Sequence, residues 1–258
     1  IMRETVHNKF SEEKEKASIS EYLSGKNQNE VAKKFNTYNA TIRRVLLRNG
    51  IPLISSSERW SNRTNIFDNM SEEAQYWIGF LAADGNISEK ENRISLGCAE
   101  KDHNHLIKYS KFVKAPIKKV YNKTFRIYES RVVFRDKAIK KYLVSLGVTS
   151  NKSKTLKLNI PLNEHILRGV FDGDGYAKKN KGHFEIATAS ENFKNQISTF
   201  LTENNIHHTI HGKKKTLFIV GVYSKEECKK LYKLFYNNAT VFLERKKAVL
   251  SPFYDENQ

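Results

Sequence analysis

The sequence predicts an α+β chain in which a small all-helical segment precedes two copies of one larger unit. Three observations carry that reading. The stretches "WIGFLAADGNI" (77–87) and "LRGVFDGDGYA" (167–177) each read as an apolar helix that stops at Asp-Gly. The elements after each stretch follow in the same order, as an internal repeat should. Residues 8–50, by contrast, show helical spacing and helix caps and none of the strand alternation that comes later.

The first helix is "SEEKEKASISEYLSG", with apolar residues at helical spacing and a stop at Gly25. Asn27 followed three places on by Glu30 is a capping-box arrangement and opens a second helix that runs to about Phe35. After "NTYN", the stretch "ATIRRVLLRNGI" puts Ile42, Val45 and Leu46 on one face and Arg43, Arg44 and Arg48 on the others, with Gly50 as the stop. A purely structural three-helix bundle would use the same spacing. Helix, short turn and basic helix together resemble the helix-turn-helix family, whose last helix enters the major groove. The resemblance implies a DNA-binding domain over 8–50, with Asn39, Thr41, Arg43 and Arg44 as the reading residues. Residues 51–70, with Pro52, three consecutive serines and several asparagines, read as a linker whose Arg59 and Arg63 are available to phosphates.

Each half then opens with its Asp-Gly helix. In the first, a strand "NRISLGCA" from 92, a helix "DHNHLIKYSKFV" from 102, strands "KTFRIYE" and "SRVVFRD", and a helix "KAIKKYLVSLG" follow. In the second come "HFEIATA" from 183, a helix "ENFKNQISTFLTENN" from 191, strands "IHHTIHGK" and "TLFIVGVY", and a helix from Ser224 whose Glu227 completes another capping box. Both halves, 71–160 and 161–253, read helix, strand, strand, helix, strand, strand, helix.

Composition narrows the function. In 258 residues, 45 Lys and Arg stand against 28 Asp and Glu, a net charge of +17. Such a surface binds polyanions through counterion release, and its basic residues alternate with Tyr, Phe and polar groups in strand-like segments. Cys98 and Cys228 lie too far apart in sequence for a disulfide framework or a CxxC zinc ribbon. No apolar run approaches the roughly 18 residues of a membrane span, and the first residues lack a signal-peptide core. The expectation is a soluble intracellular protein, cytoplasmic or nucleoid-associated.

The two Asp-Gly helices invite a closer argument. Gly79 and Ala83, like Gly169 and Gly173, are four apart, so each helix carries a small-residue groove that lets two backbones touch. Pairing about a pseudo-twofold axis would bring Asp84 and Asp174 together. A carboxylate at a helix C-terminus costs about 0.3–1 kcal/mol, and two side by side add repulsion. A hard divalent cation reverses both effects, because Mg2+ takes oxygen ligands and bridges carboxylates to phosphates.

"WIGFLAADG" and "LRGVFDGDG" resemble the two copies of the LAGLIDADG motif, and residues 71 to 253 are similar to a single-chain LAGLIDADG homing endonuclease. The resemblance implies a pseudo-dimer of αββαββα halves, an antiparallel β saddle over double-stranded DNA, and cleavage of both strands of a long target. It makes the eighth-position acids Asp84 and Asp174 the metal-binding and catalytic carboxylates, and the carbonyls of Ala83 and Gly173 further ligands. Mg2+, or another divalent cation such as Mn2+ or Ca2+, is the implied cofactor. The chain would act as a monomer with no protein partner. Two departures are visible: position six is Ala82 in one copy and Asp172 in the other, and Trp77 and Arg168 stand at positions one and two. Family members also place a lysine near each active centre, which here implies Lys152 and Lys246. Either could polarise the attacking water or merely anchor phosphate, and Lys154 and Lys247 compete for the assignment.

Strand alternation supplies candidate DNA contacts. With Ile94, Leu96 and Cys98 inward, Arg93, Ser95 and Gly97 face out; with Phe125 and Ile127 inward, Arg126 and Tyr128 do. Phe184 and Ile186 inward leave His183 and Glu185 in the groove. "HNH" at 103–105 and "HHTIH" at 207–211 are expected to be surface or DNA contacts rather than metal sites. The competing reading is a non-cleaving nucleic-acid binder on the same fold, an intron RNA maturase or a transcription regulator.

Overall fold

The computed structural model describes residues 11–54, 65–122, 127–213 and 217–254, and the chain divides into two compact units, Ile1–Arg63 and Thr64–Gln258. In the first unit, α1 (Glu12–Leu23), α2 (Gln28–Lys34) and α3 (Asn39–Arg48) follow in order. Ser11 caps α1, and Asn27 and Glu30 form the full reciprocal capping box on α2. Tyr22, Val31, Ala32, Ile42 and Leu46 make its core. Ile51 and Leu53 pack against that core, and the Tyr22 hydroxyl accepts from the Ile54 N–H at 2.8 Å.

The expected linker over 51–70 is therefore too long at both ends. Its start belongs to the helical core, and Phe67, fully buried in the second unit, meets the edge of Phe112 at 5.2 Å. Arg59 and Arg63 lie outside the described residues.

The second unit repeats one pattern. Its first half is α4 (Glu72–Asp84), β1 (Asn86–Ile87), β2 (Arg93–Cys98), α5 (His103–Phe112), β3 (Ile117–Asn122), β4 (Ile127–Arg135) and α6 (Lys137–Ser145). The second half is α7 (Glu164–Asp174), β5 (Gly175–Lys178), β6 (His183–Thr188), α8 (Glu191–Glu203), β7 (Thr209–Lys213), β8 (Leu217–Val222) and α9 (Lys225–Tyr236), after which α10 (Glu244–Tyr254) follows. Each half folds one antiparallel four-stranded sheet, in the matching orders β1-β2-β4-β3 and β5-β6-β8-β7. One face of each sheet is apolar, with Ile94, Leu96, Val132 and Phe134 buried in the first and Phe184, Ile186, Val220 and Val222 in the second.

Three expectations change. "KTFRIYE" and "SRVVFRD" are not two strands: β4 runs unbroken through Glu129 and Ser130, and its hairpin partner is β3, "IKKVYN". β3 escaped notice because it is a sheet edge whose Lys118, Lys119, Val120 and Tyr121 are all exposed, so no apolar alternation marks it. Ser224 does cap α9, but the Glu227 carboxylate takes the backbone N–H of His207 at 2.8 Å and Lys230 at 2.8 Å instead of closing the box. Finally, α10 is a helix beyond the repeat, and it carries Lys246.

The halves join through α4 and α7. Ser71 and Asn163 cap these helices at matching places, accepting from the N–H groups of Ala74 and Ile166. A Cβ on Gly79 would overlap the carbonyl of Ile166, one on Gly169 would overlap the carbonyl of Tyr76, and one on Gly173 would meet the Ala83 Cβ at 2.5 Å. Each central glycine thus lies against the residue three places before its counterpart. The helices run side by side in the same direction, and their C-termini share one end.

Candidate active site

Asp84 and Asp174 are the last residues of α4 and α7, and each helix is stopped by the extended Gly85 or Gly175. The close approach at Gly173 brings the two carboxylates into one neighbourhood, since a Cβ there would lie 3.5 Å from Asp84 Oδ2. By surface area both acids are exposed, yet dense protein around them strips much of their hydration. That desolvation, with Asp174 beside it, pushes Asp84 up to about 6, and desolvation also raises Asp174 against the pull of Lys152 and Lys246. Two carboxylates that repel each other at paired helix C-termini are a poor choice for stability and a good one for holding a cation.

The two lysines proposed from sequence reach this place, whereas their competitors do not. Lys152 lies in a 3-10 turn, Lys152–Lys154, and donates to the Gly85 carbonyl at 2.5 Å. Burial lowers its pKa against the attraction of Asp174 and Asp84. Lys246 is 4% exposed; its ammonium donates to the carbonyls of Phe171, of Gly175 at 2.6 Å and of Gly173 at 3.3 Å. Burial lowers it to about 8. Lys154 is exposed, and Lys247 lies over the Phe242 ring, 4.6 Å from its centroid.

Beside each acid the surface is hollow. A groove of about 530 Å³ is bounded by Asp84, Asn86, Ser95, Gly97, Cys98 and Arg131. A second, of about 220 Å³, takes in Asp174, Lys152, Ala83, Ile186 and Thr188. Among the described residues no three His, Cys, Asp or Glu side chains gather into a ligand cluster. The donors present are two carboxylates with the carbonyls of Ala83 and Gly173, all hard oxygens. They fit a cation such as Mg2+, which binds through one or two carboxylates and completes its shell with water and phosphate oxygens.

The remaining sequence candidates separate by geometry. Arg93 is exposed, 3.7 Å from Glu91. Ser95 keeps the outward parity of Arg93 and Gly97 and borders the Asp84 groove, but it is buried there, its hydroxyl donating to the Asn86 carbonyl of the paired β1 at 3.5 Å. Cys98, expected inward, is half-buried and borders the Asp84 groove with Gly97. Tyr128 is 72% exposed at the end of β4 and packs on Tyr121, its cross-strand partner, at 5.2 Å. The register reverses the expected faces, however: Tyr128 has the parity of buried Ser130 and Val132, and Ile127 that of Glu129 and Arg131. Arg126 and Phe125 lie outside the described residues. His183 is half-buried against Tyr223 at 5.2 Å, and Glu185, also half-buried, hydrogen-bonds that tyrosine.

On α3, Asn39, Arg43 and Arg44 are exposed and Thr41 is half-buried. Sequence pattern did not mark Lys118, Glu129 or Arg131, which border the same sheet face as Gly97. Gly97 leaves room for the Arg131 side chain, whose guanidinium pairs with Glu129 at 2.6 Å.

The histidine motifs are corrected in part. His105 is 1% exposed, stacks among Tyr76, Trp77 and Phe80, and shares a hydrogen bond with the Tyr76 hydroxyl at 2.9 Å, so it is a core residue rather than a surface contact. His208 hydrogen-bonds Ser198 at 2.7 Å, while His207 and His211 are exposed. No helix of the described residues is long and apolar enough to cross a membrane.

Comparison with known proteins agrees with this architecture. A family model described as a LAGLIDADG-like domain matches residues 162–235. The fold is similar to that of the homing endonuclease I-WcaI bound to its DNA recognition sequence, with a TM-score of 0.54 and 19% identity, over 78% of this chain and 95% of the other. It is similar also to I-DmoI in complex with DNA and Ca, with a TM-score of 0.52 and 16% identity, over 73% of this chain and 100% of the other. A curated relative, the ATP-dependent DNA helicase Hel308 of Methanocaldococcus jannaschii, is 28% identical over 129 residues, covering 44% of this chain and 11% of the helicase. So small a share of the helicase carries none of its activity across.

Proposed function

We propose that this chain, which carries a LAGLIDADG-like domain on the fold of single-chain homing endonucleases, is a site-specific DNA endonuclease that hydrolyses both strands of a long duplex. The observation that carries this reading is the juxtaposition of Asp84 and Asp174 at two tightly paired helix C-termini, with half-buried Lys152 drawn to one end and buried Lys246 to the other. A divalent cation held by these carboxylates and the carbonyls of Ala83 and Gly173 would supply an activated water and offset charge on the leaving oxygen.

The chain's own groups do the rest. The exposed sheet faces, with Arg93, Lys118, Arg131, His183 and Glu185, hold the duplex so that the scissile phosphates meet the helix ends. Arg131 and Glu185 suit guanine and the cytosine amino group respectively. Lys152 and Lys246 lie where positive charge stabilises the charged phosphoryl transition state or orients the attacking water. The lowered pKa of Lys246 makes it the better of the two at moving a proton near neutrality. The helices over 12–48 add a helix-turn-helix contact through Asn39, Thr41, Arg43 and Arg44, raising effective affinity by tethering.

The test is incubation of the full chain with a randomised duplex library and Mg2+, followed by sequencing of the cut ends. A recurrent staggered cut is expected. Tight binding without cleavage under Mg2+, Mn2+ or Ca2+ would favour the regulator or maturase reading instead.

A further inference from the structure

We infer that Asp172 and Arg168, the two residues by which the second motif copy departs most from the first, are positioning residues that hold Lys246 in one of the two active centres. This inference rests on the nuclease reading above. Asp172 does not reach the acids at the helix ends. It is 1% exposed, and its carboxylate accepts the Leu243 N–H at 2.7 Å, the Tyr76 hydroxyl at 2.8 Å and the Tyr236 hydroxyl at 3.2 Å. Leu243 is the residue on which α10 begins, since its carbonyl accepts the N–H groups of Lys246 and Lys247. A buried charged acceptor therefore grips the first turn of the helix that carries Lys246, and the Lys246 ammonium grips back onto the carbonyls of Phe171, Gly173 and Gly175.

Arg168 works on the same segment from one turn earlier. It is 1% exposed, and its guanidinium donates to the carbonyl of Phe235 at 2.9 Å, to that of Val241 at 3.0 Å and to Glu72 at 2.6 Å. Glu72 in turn accepts the N–H and hydroxyl of Thr240. Six residues from 235 to 246, Phe235, Tyr236, Thr240, Val241, Leu243 and Lys246, are thus fixed to α7 or to the start of α4. In the first copy the equivalent motif positions hold Ile78 and Ala82, which form no such bonds, and Lys152 sits on a short turn with one carbonyl contact. The lysine of one centre is held by a rigid bracket and the other by a loop.

The consequence is a strand-selective dependence. Asp172→Asn and Arg168→Lys, made in the full chain, are compared with Lys246→Met on the duplex site recovered from the randomised library, with the two strands labelled differently. Each variant is expected to slow cleavage of the same single strand by about 100-fold, as a misplaced catalytic group does. Asp172→Asn combined with Lys246→Met should be no slower than Lys246→Met alone. Without DNA or metal, amide hydrogen exchange over 243–247 should quicken by about tenfold or more in both bracket variants.

Equal slowing of both strands, or unchanged exchange over 243–247, would overturn the inference. If the unmodified chain cuts neither strand, the nuclease reading fails and the exchange arm still decides whether the bracket holds α10.

Discussion

At the scale of single residues, the two acids oppose stability where the fold needs it least. Asp84 and Asp174 repel each other, and desolvation raises both. A carboxylate whose folded pKa is raised loses stability as pH rises from its unfolded value near 3.9 through the folded value. At neutral pH without metal, Asp84→Asn should therefore raise the unfolding free energy, by about 1 kcal/mol once solvent screening of an exposed group is allowed for. Its cleavage should be abolished and its DNA binding kept. Differential scanning calorimetry with EDTA, beside a binding and a cleavage assay, checks the three together.

His105 gives the opposite sign. Burial lowers its folded pKa to about 4, so its contribution is complete above its unfolded value near 6.5 and drains away as pH falls from there toward 4. The loss is at most about 1.4 kcal/mol per pH unit. Urea titrations at pH 7 and pH 5 should show a steeper fall for the natural chain than for His105→Gln, and the difference between the two isolates this residue from the raised carboxylates.

At the scale of elements, the α4–α7 pair decides whether the halves meet at all. Gly79 and Gly169 face backbone carbonyls of the partner helix, which cannot step aside as a side-chain tip can. Gly79→Val or Gly169→Val should destabilise the second unit by about 3 kcal/mol or more, because the overlap must be relieved by parting the helices. Chemical denaturation followed by tryptophan fluorescence reads it, since Trp77 is buried in α4 beside that contact.

This pairing was legible in sequence because small residues four apart, occurring twice in matched context, serve chiefly to let two helix backbones touch. The caps at Asn27 and Ser224 were legible for a similar reason: cap chemistry is local. What escaped was non-local. β3 shows no alternation because an edge strand with an exposed face has no apolar period to display. Ser95 lies on the groove face that counting along β2 gives it, but its burial depends on β1, which pairs with it from across a turn. Asp172 could be seen as a departure from the motif, but its partners Tyr76, Tyr236 and Leu243 come from three distant segments, and only the folded chain brings them to one carboxylate.

At the scale of the whole molecule, the charge of +17 favours a polyanionic partner, and the proposed function puts a duplex on the sheet faces. Binding should weaken steeply with salt, and removing residues 1 to 63 should weaken it further while the cut position on the DNA stays fixed, since the carboxylates lie in the second unit. Primer extension across the cut site, for the full and shortened chains, checks this; a shifted cut would place some of the chemistry elsewhere.

Centrally, Asp84 and Asp174 are proposed to serve jointly the two active centres, so that cleavage of both strands needs both acids. The most direct test follows both strands of a selected duplex under Mg2+ for the natural chain, Asp84→Asn and Asp174→Asn. The account predicts double-strand cleavage by the first and none by either variant, with binding of all three alike. Full cleavage by either variant, or a natural chain that binds the duplex and leaves both strands intact, would contradict it.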